Sequence, residues 1–190
     1  MQTGLHLPFP DPPARGETLR VAPGIEWVRI PLPMKLDHVN CWILEEEDGV
    51  TVVDTGYKSR ATRQFWEQAL NGRRVVRVIC THHHPDHVGL AGWFQETGAA
   101  LWMARTGWLT ARMLQLDEQE RPRPETLAFW IGCGMDPDVL ERRRGTRPFN
   151  FADMVEEMPL GYRRIVDGER IEAGGRRWRV RMGAGHAPNT

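Results

Sequence analysis

The sequence predicts an α/β (α+β) domain, and three observations carry that prediction. A nearly continuous apolar run, Val75–Cys80, has the length and β-branched content of an interior strand covered on both faces. Strand-like and helix-like segments alternate around it. A dense histidine cluster begins where that strand ends, which is where open α/β layers place their ligand sites.

The elements follow in order. Residues 1–20 are proline-rich and read as a loose leader, and residues 21–190 as the folded domain. A strand is expected at Gly24–Leu32, with Ile25, Trp27 and Ile30 marking one side, and another at Val39–Leu44. An Asp-Gly turn at Asp48-Gly49 returns the chain into Val50–Val53, which ends at Asp54-Thr55-Gly56. Ala61, Phe65 and Ala69 carry helical spacing over residues 59–70, closed by Asn71-Gly72. After the strand at Val75–Cys80, a helix is expected at Val88–Glu96, ended by Gly98, and then a strand at Ala99–Met103.

Residues 106–160 read as a helical insertion. Thr106 is placed to cap a helix with Leu109, Met113 and Leu116 on its apolar face. Pro124 and Asp136-Pro137 signal two further helix starts, and Asn150 a third cap. Trp130 and its aromatic neighbours, Phe129 and Phe149 among them, are expected to form the core of this insertion. Strands resume at Tyr162–Val166, Arg170-Ile171 and Arg177–Met182, the last with Trp178, Val180 and Met182 on one side. Gly183–Thr190 is a loop holding His186.

Composition narrows the function classes. Lys+Arg and Asp+Glu both number 25, so no global field favours nucleic acid or an anionic membrane. No stretch approaches the roughly 20 apolar residues of a membrane span, and no signal-peptide core is evident. Cys41, Cys80 and Cys133 lack paired spacing, and two sit in apolar runs, so free thiols and a cytoplasmic setting are expected. His6 and His38 read as ordinary surface or loop histidines, although His38 could line a pocket beside the cluster. The arginine patches at 142–147 and 176–181 read as solvated faces.

The chemistry lies in Thr81-His82-His83-His84-Pro85-Asp86-His87-Val88-Gly89, where four of seven histidines fall within six residues. Imidazole is the commonest biological metal ligand. His82 and His84, two apart in an extended segment, point to one side and can share an ion. Asp86 and His87 lie where the chain turns into a helix, suited to the same ion or to a second beside it. His83 is out of phase and should face away. A solvated turn that binds metal only adventitiously is the plainer alternative. The buried strand leading in, the embedded aspartate, and the helix-packing glycines Gly89 and Gly92 argue against it.

These residues resemble the His-x-His-x-Asp-His signature of the metallo-β-lactamase fold hydrolases, the glyoxalase II-like members above all. Val39-Asn40-Cys41-Trp42, Val52-Val53-Asp54-Thr55-Gly56 and Gly185-His186-Ala187-Pro188 are similar to the family's flanking elements and occur in its order. The resemblance implies an αββα sandwich of two similar halves, here incomplete, with the helical insertion at about 106–160. It implies that His82, His84 and His186 hold a first metal and that Asp86 and His87 contribute to a second. Zn2+, one ion or two, is the implied cofactor, with Fe or Mn as other divalent choices. Three imidazoles on zinc leave a fourth position for a water whose pKa falls to near 7. Asp86 is the implied catalytic residue, orienting that water and taking up its proton. Asp54 and Thr81 are implied outer partners of the ligands, although for Asp54 a plain strand-end carboxylate is an equal reading.

The implied activity is zinc-dependent hydrolysis of a thioester, ester or lactone, with a small-molecule substrate and with no nucleic-acid or membrane partner. Nuclease chemistry and redox chemistry of the flavodiiron type find no support in the charge balance or the ligand set. The family's bridging carboxylate and last histidine ligand cannot be assigned before Thr190, so a fold truncated at its C-terminus is expected. That leads to two further expectations: a homo-oligomer or a chain completing the missing half, and, as the alternative function, a non-catalytic metal-binding or protein-interaction remnant.

Overall fold

The computed structural model describes residues 7–14, 16–188 and 190; His6 and the first residues of the expected leader lie outside them. Seven strands form one sheet in chain order: β1 (Thr18–Ala22), β2 (Ile25–Pro31), β3 (His38–Glu46), β4 (Gly49–Val53), β5 (Val75–Cys80), β6 (Ala100–Ala104) and β7 (Arg163–Ile165). The first four strands form an antiparallel meander, and β4 through β7 are parallel. β1 was not foreseen and takes up the last residues of the stretch read as leader. Its partner β2 supplies the ladder that makes a strand of Thr18–Ala22.

Helices cover one face of the sheet. α1 (Arg60–Leu70) starts at Ser59, whose hydroxyl accepts the Thr62 N–H, and ends at Asn71 in the left-handed conformation. Its apolar side lays Phe65, Trp66 and Ala69 on the sheet, where Trp66 meets Phe94 edge-on at 5.5 Å. α2 (Pro85–Val88) and α3 (Ala91–Glu96) stand where one helix over Val88–Glu96 was expected. The break has a physical cause. The His87 carbonyl accepts from the Thr55 N–H and hydroxyl, both at 2.9 Å, and the Gly89 carbonyl accepts from Glu156 N–H at 2.7 Å. Both acceptors are thereby turned away from continuing the helix.

The two glycines here are required by close approach. A Cβ on Gly89 would lie 2.3 Å from Tyr57 Cα and 2.4 Å from the Gly56 carbonyl, and one on Gly92 would lie 2.2 Å from the Glu157 carbonyl. Gly89→Ala is therefore expected to destabilise the fold by about 3 kcal/mol, the upper end for an overpacked site. A urea-unfolding midpoint equal to that of the parent would refute this.

The insertion holds α4 (Arg105–Leu116), α5 (Pro124–Gly132), α6 (Pro137–Arg144) and a 3-10 turn at Phe151–Asp153. Asp136 caps α6 and Asn150 forms a capping box with Asp153, as the sequence signals. α4 begins one residue before Thr106, and its expected apolar face is reversed: Leu109, Met113 and Leu116 are exposed. The buried side is Gly107 and Ala111, small enough to bring the helix against Met103, with Trp108 stacked on Tyr162 at 4.6 Å. The expected aromatic core also fails to form. Phe129 and Phe149 are exposed, and Trp130 is only half-buried, with Arg143 over its ring. α5 and α6 are short and pack chiefly on each other, and among the described residues nothing buries their outer sides.

On the other face of the sheet lies a hairpin, β8 (Arg170–Ala173) and β9 (Arg176–Arg179). The expected strand through Met182 ends early, yet Val180 and Met182 still pack with Ile79 and Ile165 as their alternation indicates. Between hairpin and sheet lies an apolar cleft of about 530 Å³, lined by Trp42, Leu44, Val53, Ile79, Ile171 and Trp178 among others. Cys41 and Cys80 are buried free thiols and Cys133 is exposed. Among the described residues, no helix is long and apolar enough to cross a membrane.

Candidate metal centre

β4 and β5 are parallel neighbours, so their C-terminal ends open at the same edge and bring two distant segments together. From β4 comes Asp54, and from β5 comes Thr81–His87. Asp54 is buried and sits at φ 58°, in the left-handed region that Asp tolerates better than most residues. Its backbone N–H still donates to the Ile79 carbonyl, extending the ladder by one step before the chain turns.

The Asp54 carboxylate organises the site. Oδ1 accepts the Thr81 N–H and Oδ2 accepts the Thr81 hydroxyl, each at 2.8 Å. Oδ2 also meets His87 Nδ1 at 2.8 Å. Because the Thr81 hydroxyl spends its proton on Asp54, it can only accept from His82 Nδ1, 3.0 Å away. That pattern assigns the proton of His82 to Nδ1 and leaves the Nε2 lone pair free. One carboxylate thus sets the orientation of two imidazoles, directly for His87 and through Thr81 for His82.

The free nitrogen of His82 points into a cluster. Its Nε2 lies 3.1 Å from His84 Nδ1, which lies 3.0 Å from His186 Nε2. The three donor atoms all fall within 4.8 Å of one another. Nitrogens at about 2.0–2.1 Å from a tetrahedral zinc stand roughly 3.3 Å apart, so the two edges that meet at His84 already have nearly the length of those in a ligand triangle. Burial and the neighbouring His87, His84 and His186 push the His82 pKa down to about 3, and burial and His186 also lower that of His84. Both rings are therefore neutral, the form that binds a metal.

Asp86 and His87 sit beside the trio. His87 packs on the His82 ring at 3.9 Å, and its Nε2 lies 3.3 Å from Asp86 Oδ2. Burial would lower the pKa of His87, but hydrogen bonds to Asp54 and Asp86, together with their charges, raise it to about 9. Burial likewise opposes ionisation of Asp86, yet the His87 hydrogen bond and charge hold its pKa below the usual value, so it is an anion.

All the residues singled out in the sequence therefore come together: His82, His84 and His186 as one triangle, Asp86 and His87 beside it, and Asp54 and Thr81 behind. His83 does not join the triangle; it is buried, and its Nδ1 has no hydrogen-bond partner among the described residues. His38 lies at the start of β3, bonded to Asp37 and 2.9 Å from Arg29, outside the cluster. Sequence reasoning missed Thr55 and Trp66. The Thr55 hydroxyl donates to the His87 carbonyl and accepts the Leu90 N–H, and Trp66 Nε1 donates to the Thr55 carbonyl at 2.7 Å. The Asp54-Thr55-Gly56 turn was the available signal for the first; nothing local marks the second.

Comparison with known proteins points the same way. The family model described as the metallo-beta-lactamase superfamily matches residues 34–189. A beta-lactamase domain protein from Burkholderia ambifaria superposes with a TM-score of 0.80 at 38% identity, over 96% of this chain and 54% of its own. A metallo-beta-lactamase family protein from Thermus thermophilus superposes with a TM-score of 0.67 at 27% identity, over 88% and 54%. A subclass B3 metallo-beta-lactamase from a soil metagenome library shares the fold at 17% identity and a TM-score of 0.57, over 94% and 56%. The chain spans about half the length of these solved structures. No curated protein matches it.

Proposed function

The chain belongs to the metallo-beta-lactamase superfamily, and from that premise we propose that it is a zinc-dependent hydrolase of small thioesters, esters or lactones, of the glyoxalase II-like kind. Membership and the histidine cluster fit a metallo-hydrolase. The observation that carries the reading is the triangle of His82, His84 and His186, whose donor nitrogens lie together, with His82 and His84 held neutral.

A divalent ion in that triangle would supply a Lewis acid and a water of lowered pKa. The chain's own residues do the rest. Asp86 is held as an anion by His87 and can accept a proton beside the triangle. His87 is a cation in the metal-free site, donating Nδ1–H to Asp54 with Nε2 toward Asp86, so it would have to release its Nε2 proton before it and Asp86 could meet a second ion. Thr81 and Asp54 hold the tautomer of His82.

The deciding experiment measures metal content of the purified chain together with hydrolysis of thioester, lactone and phosphodiester substrates. Bound zinc with chelator-sensitive turnover of a thioester or lactone is expected. Bound metal with no turnover of any substrate would instead favour a metal-binding module. Absence of metal after reconstitution would refute the centre itself.

A further inference from the structure

α5 is an apolar helix covered on one side by α6, with Arg143 over Trp130, and left open on its other side among the described residues. Its run Leu127-Ala128-Phe129-Trp130-Ile131 is hydrophobic on every side, yet no residue of α5 or α6 is buried, and Phe129 and Ile131 are 68% and 55% exposed. A helix apolar all round is normally enclosed by protein. Such a surface on a short projecting hairpin marks an interaction site rather than a solvated face.

The hairpin is held out on a fixed neck. The Asn150 side chain, itself buried, accepts the Gln119 N–H at 2.7 Å and donates to the Gln119 carbonyl at 3.0 Å, tying the two strands of the neck together. Arg147 bridges them again, to Glu118 on one side and Asp153 on the other. The surface is thus presented in a preset position, which lowers the ordering cost of association.

Its charges say what it fits. α6 carries Asp136 and Asp138 at its first turn and Arg142, Arg143 and Arg144 at its last, all exposed. Two such helices meeting antiparallel across a two-fold axis set the arginines of each against the aspartates of the other, twice over. Residues 124–144 hold four carboxylates against three arginines, so an anionic lipid surface finds no net attraction there.

We propose that the α5–α6 hairpin is a homodimerisation element, pairing antiparallel with the hairpin of a second copy and burying Phe129 and Ile131 between them. Cys133, the exposed cysteine that follows α5, then lies near its own copy, whereas Cys41 and Cys80 are buried.

The test is light scattering of the full chain with and without Phe129→Glu and Ile131→Glu. These side chains are exposed in the monomer, so folding should be retained, as checked by circular dichroism and metal content. A dimer is expected for the parent. The double variant should raise its dissociation constant by on the order of 30-fold or more, as for hot-spot side chains. A short bismaleimide should cross-link the parent into dimers, but not a Cys133→Ser variant. A parent that stays monomeric at high micromolar concentration would overturn the proposal. So would a dimer that survives the double variant, which would place the second copy elsewhere. Co-flotation with anionic vesicles that the same variant abolishes would assign the surface to a membrane instead.

Discussion

Replacing His84 by alanine is expected to abolish tight metal binding while leaving the fold in place. His84 Nδ1 is the shared vertex of the triangle, within 3.1 Å of His82 Nε2 and 3.0 Å of His186 Nε2. Its loss leaves two nitrogens with no common neighbour between them. The loss of affinity should exceed the roughly 100-fold that removing an outer partner costs. The same is expected of His186→Ala, although that residue arrives from a loop 102 residues further along the chain. A ligand that binds only the folded state stabilises it by about 4 kcal/mol at 1,000 times its dissociation constant. Chelation should therefore lower the melting temperature of the parent and leave that of His84→Ala unmoved. Equal zinc stoichiometry and affinity in parent and variant, by competition titration, would place the metal elsewhere.

Asp54→Ala should be the most damaging substitution outside the triangle. It strips one buried carboxylate of three hydrogen-bonded partners at once, Thr81 N–H, Thr81 hydroxyl and His87 Nδ1. Removing one partner of a buried ion pair typically costs about 3–5 kcal/mol. Metal affinity should fall by a further 10- to 100-fold as His82 and His87 lose their orientation. Asp54→Asn separates charge from backbone, because Asn accepts the left-handed conformation that Asp54 adopts at φ 58°. In chelator-treated protein it should lower the His87 pKa from about 9, since one of the two carboxylates that raise it is gone. An unchanged His87 titration by NMR would show that Asp86 alone sets the charge of that ring.

Much of this centre was legible because the ligands are local. Thr81–His87 is a single segment, and its position follows from the apolar run Val75–Cys80 that precedes it. Two helix caps were legible for the same reason: Asp136 and Asn150 act on backbone groups two or three residues away, whereas Thr106 does not cap α4, which starts one residue before it. The α4 face was misread because its pattern of large residues pointed outward, and only the tertiary fit of Gly107 and Ala111 against Met103 shows which side is buried. The break between α2 and α3 was invisible for a related reason. It depends on Thr55, thirty-two residues from the carbonyl it bonds.

By itself, then, the sequence determined the strands of the parallel half, the Asp136 and Asn150 caps of the insertion and the chemical identity of the donors, all consequences of short-range periodicity and side-chain type. Only the tertiary structure decided that Asp54 orients both His82 and His87, that His186 completes the triangle within hydrogen-bonding distance of His84, and that an apolar helix of the insertion is left open on one side. Those facts depend on the adjacency of β4 and β5 and on which helix faces find the sheet. Such contacts join segments far apart in the chain, and no local pattern encodes their distance.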